Sequence, residues 1–296
     1  MQCRLCGKKT KLEQSHIIPK FIYRYIKQTS LTGGIRSGET PNMRQEDGLI
    51  IPFLCNSCED LFCKYETYFS SKIFFPMLNN KITEVSVCED LVGFAVSLLW
   101  RCLKHRLEAK FKIEELTEKE LESLRVFTNC CENYFKTNDI SNLSKYSIHI
   151  IPLTENMENS GKIPMLSSIN QRGTDTSFRA FCKEQEGFDY LIFYVKIPFF
   201  LFVVEVIPNS KYVWSCSDIL HENIVLNQET VEINELVTEI IRTTYENKII
   251  AGKKISDKQM NLIVDKYNKA IQKGLNERQE ATINAKKREN EYLKDF

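Results

Sequence analysis

What the chain lacks narrows the field first. It has no strong net charge: 40 Lys and Arg against 39 Asp and Glu leave a formal +1, so no global field announces nucleic acid or a membrane. It has no long apolar run. The longest, Ile197 to Val204, falls far short of the ~20 residues of a membrane span. Met1-Gln2-Cys3-Arg4 offers no apolar region of a secretory signal. There is no P-loop, no Gly-x-Gly-x-x-Gly, no Asp-x-Asp cluster and no internal repeat. Histidine is scarce, with four in the chain. His105, His149 and His221 stand alone in sequence and read as structural. Asp218, His221 and Glu222 are near one another, but nothing converges on them.

Cysteine is not scarce. Eleven cysteines without a secretory signal argue for metal binding or reduced thiols rather than disulfides. The expectation is a cytoplasmic protein with no membrane partner. Hydrophobic content of 43% is ample for a packed core. Charge is uneven along the chain. Residues 1–80 hold eleven Lys and Arg against seven Asp and Glu, so the remainder is slightly acidic.

Residues 1–80 are rich in Cys, aromatic and turn residues, and residues 81–296 differ in character. Ser86-Val87-Cys88-Glu89 fits a capping box, and Leu91, Phe94, Leu98, Leu99, Cys102 and Leu103 continue as a helix over 87–107. Thr117 to Glu120 opens a second, 117–136, with Leu121, Leu124, Thr128, Cys131 and Phe135 as its stripe. Strands are expected within 144–228, at Tyr146–Leu153, Tyr190–Lys196 and Phe199–Ile207, the last two split by Pro198. Polar residues 154–177 read as a long loop or short edge elements. Helices return at 230–247 and 256–290, the latter opened by Ser256 to Gln259 and striped by Met260, Ile263, Val264, Tyr267 and Ile271. The fold class is α+β: a metal-held N-terminal module, 1–80, then a mixed helix–sheet domain, 81–296.

Cys3-Arg-Leu-Cys6 and Cys55-Asn-Ser-Cys58 are separated by 48 residues. Four thiolates in two such pairs suit a tetrahedral structural Zn²⁺, each knuckle placing both sulfurs ~2.3 Å from one ion. Gly7 supplies the turn after the first pair. The other seven cysteines are scattered and read as small core hydrophobes.

Between the pairs lies Ser15-His16-Ile17-Ile18-Pro19, and Leu54 and Glu59 flank the second pair. Cys-x-x-Cys, then His-Ile-Ile-Pro, then Leu-Cys-x-x-Cys and a polar residue opening a helix resembles the HNH endonucleases, over about residues 3–76. The resemblance implies a ββα-metal, treble-clef module that hydrolyses phosphodiester bonds in DNA, with RNA as a further substrate. It implies His16 as general base and one Mg²⁺ or Mn²⁺ on the scissile phosphate. It also associates the chain with defence against phage or plasmids. The alternative reading of His16 is a buried structural histidine.

This chain departs from the family pattern. Ser15 stands where the family carries an acidic residue or His. Asp47, in Arg44-Gln45-Glu46-Asp47-Gly48, occupies the region of the middle Asn and would orient the loop or supply an oxygen; Asn42 is a second stand-in. Glu59 stands where Asn or His is usual and would be the carboxylate ligand of the catalytic ion. Glu66, seven residues on, either reaches the site or is solvated. Lys20, Arg24, Arg36 and Arg44 are candidate phosphate contacts, with ordinary surface charge as the alternative. Residues 81–296 are expected to recognise substrate, bind a partner or form a homodimer. The competing function is a non-catalytic zinc module that binds nucleic acid or protein.

Overall fold

Side-chain alternation in the central strands decides the layering. In β4 (Ser147–Pro152), β6 (Phe188–Ile197) and β7 (Phe200–Ile207) the apolar residues occupy both faces. Phe193, Val195, Phe200, Phe202 and Val204 face one core; Ile192, Tyr194, Leu201 and Val203 face another. A strand apolar on both faces must be covered on both. These strands and β5 (Asp175–Lys183) form an antiparallel sheet of order β4-β7-β6-β5. The computed structural model describes every residue except 80–81, 112, 114, 184–187, 211, 216, 221–224, 228–230 and 295–296. His221 and Glu222 therefore lie outside the described residues.

One face of the sheet is covered by α4 (Glu89–Ala109) and α5 (Glu118–Thr137). Most of α4 is buried, as a helix apolar nearly all round must be. The other face is covered by α8 (Glu235–Lys253) through Leu236, Val237, Ile240 and Ile241. The helix expected at 117–136 is α5, with Thr117 and Glu120 closing the capping box. The one expected at 87–107 is α4, but its cap differs. Ser86 ends β3 (Glu84–Ser86), which pairs with β8 (Val225–Asn227), and Cys88 is the N-cap without a side-chain bond. The helix expected at 230–247 runs later, from Glu235, capped by Asn234; residue 230 is outside the described residues.

The long helix expected over 256–290 is two helices. These are α9 (Asp257–Lys273), capped by Ser256, and α10 (Glu277–Tyr292), capped by Asn276. Gly274 at φ +84° breaks them apart, a conformation that only glycine adopts cheaply. The expected stripe of α9 is amphipathic but uncovered: Met260, Val264, Tyr267 and Ile271 are exposed. Within 154–177 the polar stretch forms two short helices, α6 (Glu155–Asn159) and α7 (Ser167–Asn170), and the start of edge strand β5.

The N-terminal module contains β1 (Gln14–His16) antiparallel to β2 (Ile50–Pro52), then α2 (Asn56–Tyr68). Between the strands lies α1 (Lys20–Thr29), which buries Ile22, Tyr25, Ile26 and Thr29. A π-helical segment, Phe69–Phe74, and α3 (Phe75–Leu78) extend α2. Phe69 stacks on Phe94 of α4 at 3.9 Å and 6°. One apolar cluster runs from Cys3 through these rings to the sheet, so described residues on either side of the expected boundary share a core. Among the described residues, no helix is long and apolar enough to cross a membrane.

Candidate metal centre and the His16 pair

The first Cys-x-x-Cys is a tight turn. Gly7 N–H donates to Cys3 O, Cys3 N–H donates to Lys8 O, and Gln2 bridges Lys9. The second pair caps α2: Cys55 is its N-cap, and Cys58 and Glu59 N–H both donate to Cys55 O. A helix N-terminus favours thiolate. The four sulfurs lie within 4.8 Å of one another, and Cys6 and Cys55 are 3.7 Å apart. A tetrahedral ion with ~2.3 Å Zn–S bonds sets sulfurs about 3.8 Å apart. The cluster therefore fits a metal ion such as zinc. Desolvation pushes the Cys55 thiol up. The Ser57 hydroxyl, the Cys58 N–H and the neighbouring thiols outweigh it and bring Cys55 down to about 6. Burial among these sulfurs pushes Cys58 the other way. Cys3 Sγ also accepts from Cys55 N–H at 3.3 Å.

β1 then divides the expected catalytic residues. Successive strand residues face opposite sides, and here the partners of Ser15 and His16 differ. His16 Nε2 lies 3.3 Å from Asp47 Oδ2, at ion-pair distance but outside hydrogen-bond alignment. Asp47 is placed by its loop. Gly48 N–H donates to its carboxylate, Lys27 holds Glu46 O, and Ile17 N–H donates to Leu49 O. A Cβ on Gly48 would stand 1.9 Å from the Tyr23 ring, so only glycine lets the loop seat against α1. Partial burial raises the Asp47 carboxyl, but the Gly48 N–H, His16 and Lys27 together hold it below the usual range.

Ser15 is fully buried. Its hydroxyl donates to Glu59 Oε2 at 2.8 Å and accepts from Leu54 N–H at 3.3 Å. Ser15, which replaces the family's acidic residue or His, thus bonds Glu59, the carboxylate expected to hold the catalytic ion. Among the described residues, the four cysteines are the only group of three or more His, Cys, Asp or Glu that could hold an ion. One carboxylate engaged by a buried hydroxyl is a poor donor set for Mg²⁺ or Mn²⁺, and the residues do not fit a preformed site for that ion.

Glu66 is half-buried and meets the His16 backbone through Arg101. It pairs at 2.7 Å with Nη1 of Arg101, which is 1% exposed and whose same nitrogen donates to His16 O at 3.2 Å. Arg101 is a site-supporting residue that the sequence reading missed. Its only signal was a charge inside Leu98-Leu99-Trp100-Arg101-Cys102-Leu103. Of the candidate phosphate contacts, Arg36 donates to Pro41 O and Gln259, while Arg44 donates to Gly33 O and pairs with Glu46. Both brace their own loop. Lys20 and Arg24 are exposed one turn apart on α1. Asn42 fastens the same loop to the α8–α9 junction, donating to Lys254 O and accepting from Ser256 N–H.

Of the remaining histidines, His105 and His149 lie among the described residues. His149 stands between Ser217 Oγ at 3.1 Å and Glu205 Oε2 at 3.3 Å and stacks on Trp214. The order Ser–His–Glu has the look of a hydrolase triad. With Ser217 at 0% and His149 at 2% exposure, no substrate reaches it. Burial holds His105 below its ordinary value. Comparison of the chain with protein-family models, with curated proteins and with solved structures finds no match.

Proposed function

We propose that residues 1–80 are a zinc-braced nuclease module of HNH type that hydrolyses phosphodiester bonds in DNA, and in RNA where a strand is presented alike. The observation that carries the reading is His16 Nε2 at 3.3 Å from Asp47 Oδ2, beside four converging cysteines. Asp47, ionised through the neutral range, favours the proton on Nε2. Nδ1 is left as the acceptor for a proton from water. Arg101 and the β1–β2 register hold the His16 backbone while the ring works. Lys20 and Arg24 present charge to the phosphates. Reduced thiolates suit a cytoplasmic setting, and action on phage or plasmid DNA is the family-level extension.

Nicking of supercoiled plasmid by the full chain, with Mg²⁺, Mn²⁺ or EDTA, tests this. Wild type is expected to nick, and His16→Ala to be slower by ~10²–10⁴-fold. Full activity in His16→Ala overturns the assignment. The Ser15–Glu59 bond favours a second reading, a non-catalytic zinc module that binds nucleic acid. That reading wins if wild type is inert with every ion yet retards DNA in a salt-dependent manner.

A further inference from the structure

A cavity of about 500 Å³ lies away from the cysteines, walled by α1, α3, α6, α7, α10 and the β6–β7 turn. Its charge is lopsided. Five cations line it, Arg172, Lys248, Arg278, Lys286 and Lys287, against the single carboxylate of Glu155. That carboxylate is already paired with Arg288 at 3.0 Å. Lys286 pairs with Glu289, and Arg278 donates to Gln28. Arg172, Lys248 and Lys287 have no ion-pair partner among the described residues. Arg172 Nε and Ser168 Oγ are buried without a hydrogen-bond partner. Buried donors left unmade are costly and are normally satisfied.

The fold spends other groups on aiming these two. Glu158 accepts from Ser167, Asn170 and Gln171, fixing α7 from one side. Lys196, 1% exposed, donates to the carbonyls of Ile169, Asn170 and Gly173, fixing the turn from below. Ser168 N–H is held by Glu289. A rigid turn therefore carries Ser168 and Arg172 into the cavity. Tyr25, Phe74, Phe199, Phe200 and Tyr267 contribute rings to the rest of the wall, beside aliphatic residues such as Leu31, Met77 and Ile283.

We infer that this cavity binds a nucleoside phosphate, its phosphates on Arg172, Ser168, Lys248 and Lys287 and its base against the aromatic wall. Guanidinium and hydroxyl donors around an uncompensated positive site select phosphate. Aromatic faces take a base regardless of its identity. The volume lies in the ordinary range for small organic ligands, ~300–1,000 Å³, and is too large for inorganic phosphate alone. Lys248 lines the cavity and is exposed. Desolvation, with Lys286 and Arg172 nearby, brings its ammonium down to about 8 against the pull of Glu289. An incoming anion restores the charge balance. The site shares no residue with the cysteine cluster or the His16 pair and stands whether or not the nuclease reading does.

The test is calorimetric titration of the full chain with the four ribonucleoside triphosphates, tripolyphosphate and the free nucleosides. At least one triphosphate is expected to bind, with tripolyphosphate and the matching nucleoside each at least tenfold weaker. Arg172→Gln and Lys248→Gln should each lower that affinity at least tenfold at unchanged zinc content. If Arg172→Gln fails to fold, Lys248→Gln, whose side chain is accessible, carries the comparison alone. No binding of any triphosphate at millimolar concentration overturns the inference. So does tripolyphosphate binding as tightly as the nucleotide, or an affinity unmoved in the variants.

Discussion

Ser15 Oγ lies 2.8 Å from Glu59 Oε2, and the same oxygen accepts the Leu54 N–H. This buried hydroxyl joins β1, β2's exit and the start of α2 in one contact. Ser15→Ala leaves the Leu54 N–H and the Glu59 carboxylate short of a partner, a loss of about 1–3 kcal/mol. Ser15→Asp sets a second carboxylate beside Glu59. It should be destabilised without ions and regain more stability with Mn²⁺ than wild type does. Thermal unfolding of the three proteins with and without Mn²⁺ decides. A wild-type shift as large as that of Ser15→Asp would mean that the Ser15–Glu59 pair already accepts the ion.

Purified protein should carry one tightly held zinc per chain, since zinc-binding free energy is folding free energy for such modules. Cys55→Ala removes one of the four clustered sulfurs, at the N-cap position of α2. The loss should spread, because Phe53 and Phe62 pack on Trp100 of α4. Elemental analysis and circular dichroism of both proteins are the measurements. A well-folded native chain without metal would remove the zinc frame.

The stack of Phe69 on Phe94, 3.9 Å apart, predicts that the two halves unfold together. Phe69→Ala should cost about 3–5 kcal/mol and lower one shared transition. Two separate transitions in wild type, only the first moved by the variant, would show instead that residues 1–80 melt independently.

Asp47 supplies a pH signature. Its folded carboxyl lies below the ordinary 3.8, against the raising effect of partial burial. Its contribution is therefore full above that ordinary value and is lost as pH falls through the lower folded one. Asp47→Asn should track wild type at strongly acidic pH and be less stable at neutral pH. In plasmid nicking it should be slower than wild type but faster than His16→Ala, because orienting the ring matters less than the ring itself. Equal acid-unfolding curves would remove Asp47 as the partner of His16.

The readable parts of this chain were those set by local spacing. Helix stripes placed α4, α5 and α8, the Thr117–Glu120 box marked a helix start, and the knuckle spacing located the four cysteines. α1 went unread although Ile22, Tyr25, Ile26 and Thr29 are helically spaced, because Ile, Tyr and Thr equally suit a strand. The site was harder. Side by side in sequence, Ser15 and His16 looked like one catalytic pair, but strand alternation turns them to different partners. His149 gains Ser217 and Glu205 from 68 and 56 residues away, and Arg172 meets Lys248 only through the packing of α7, α8 and α10. No local pattern encodes such meetings.

Lys248 offers the sharpest physical test of the basic cavity, because its sign is opposite to that of a paired lysine. Desolvation, reinforced by Lys286 on α10 and Arg172 after α7 and opposed by Glu289, lowers it from 10.5 to about 8. The folded chain thus gives up this proton before the unfolded chain does. Between those two values the unfolded state holds more protons, so stability rises with pH across that window. Below about 8 the desolvation cost of this charge is present, reduced by solvent because the side chain is exposed; above 10.5 it is gone. Lys248→Met should therefore be more stable than wild type near neutral pH, and the advantage should shrink to nothing as pH climbs past 10.5. The thiols and tyrosines that also titrate there are common to both proteins, so the difference between the two melting temperatures isolates Lys248. A difference constant with pH would mean that the ammonium is solvated like any surface lysine and that Lys248 is not part of the cationic site.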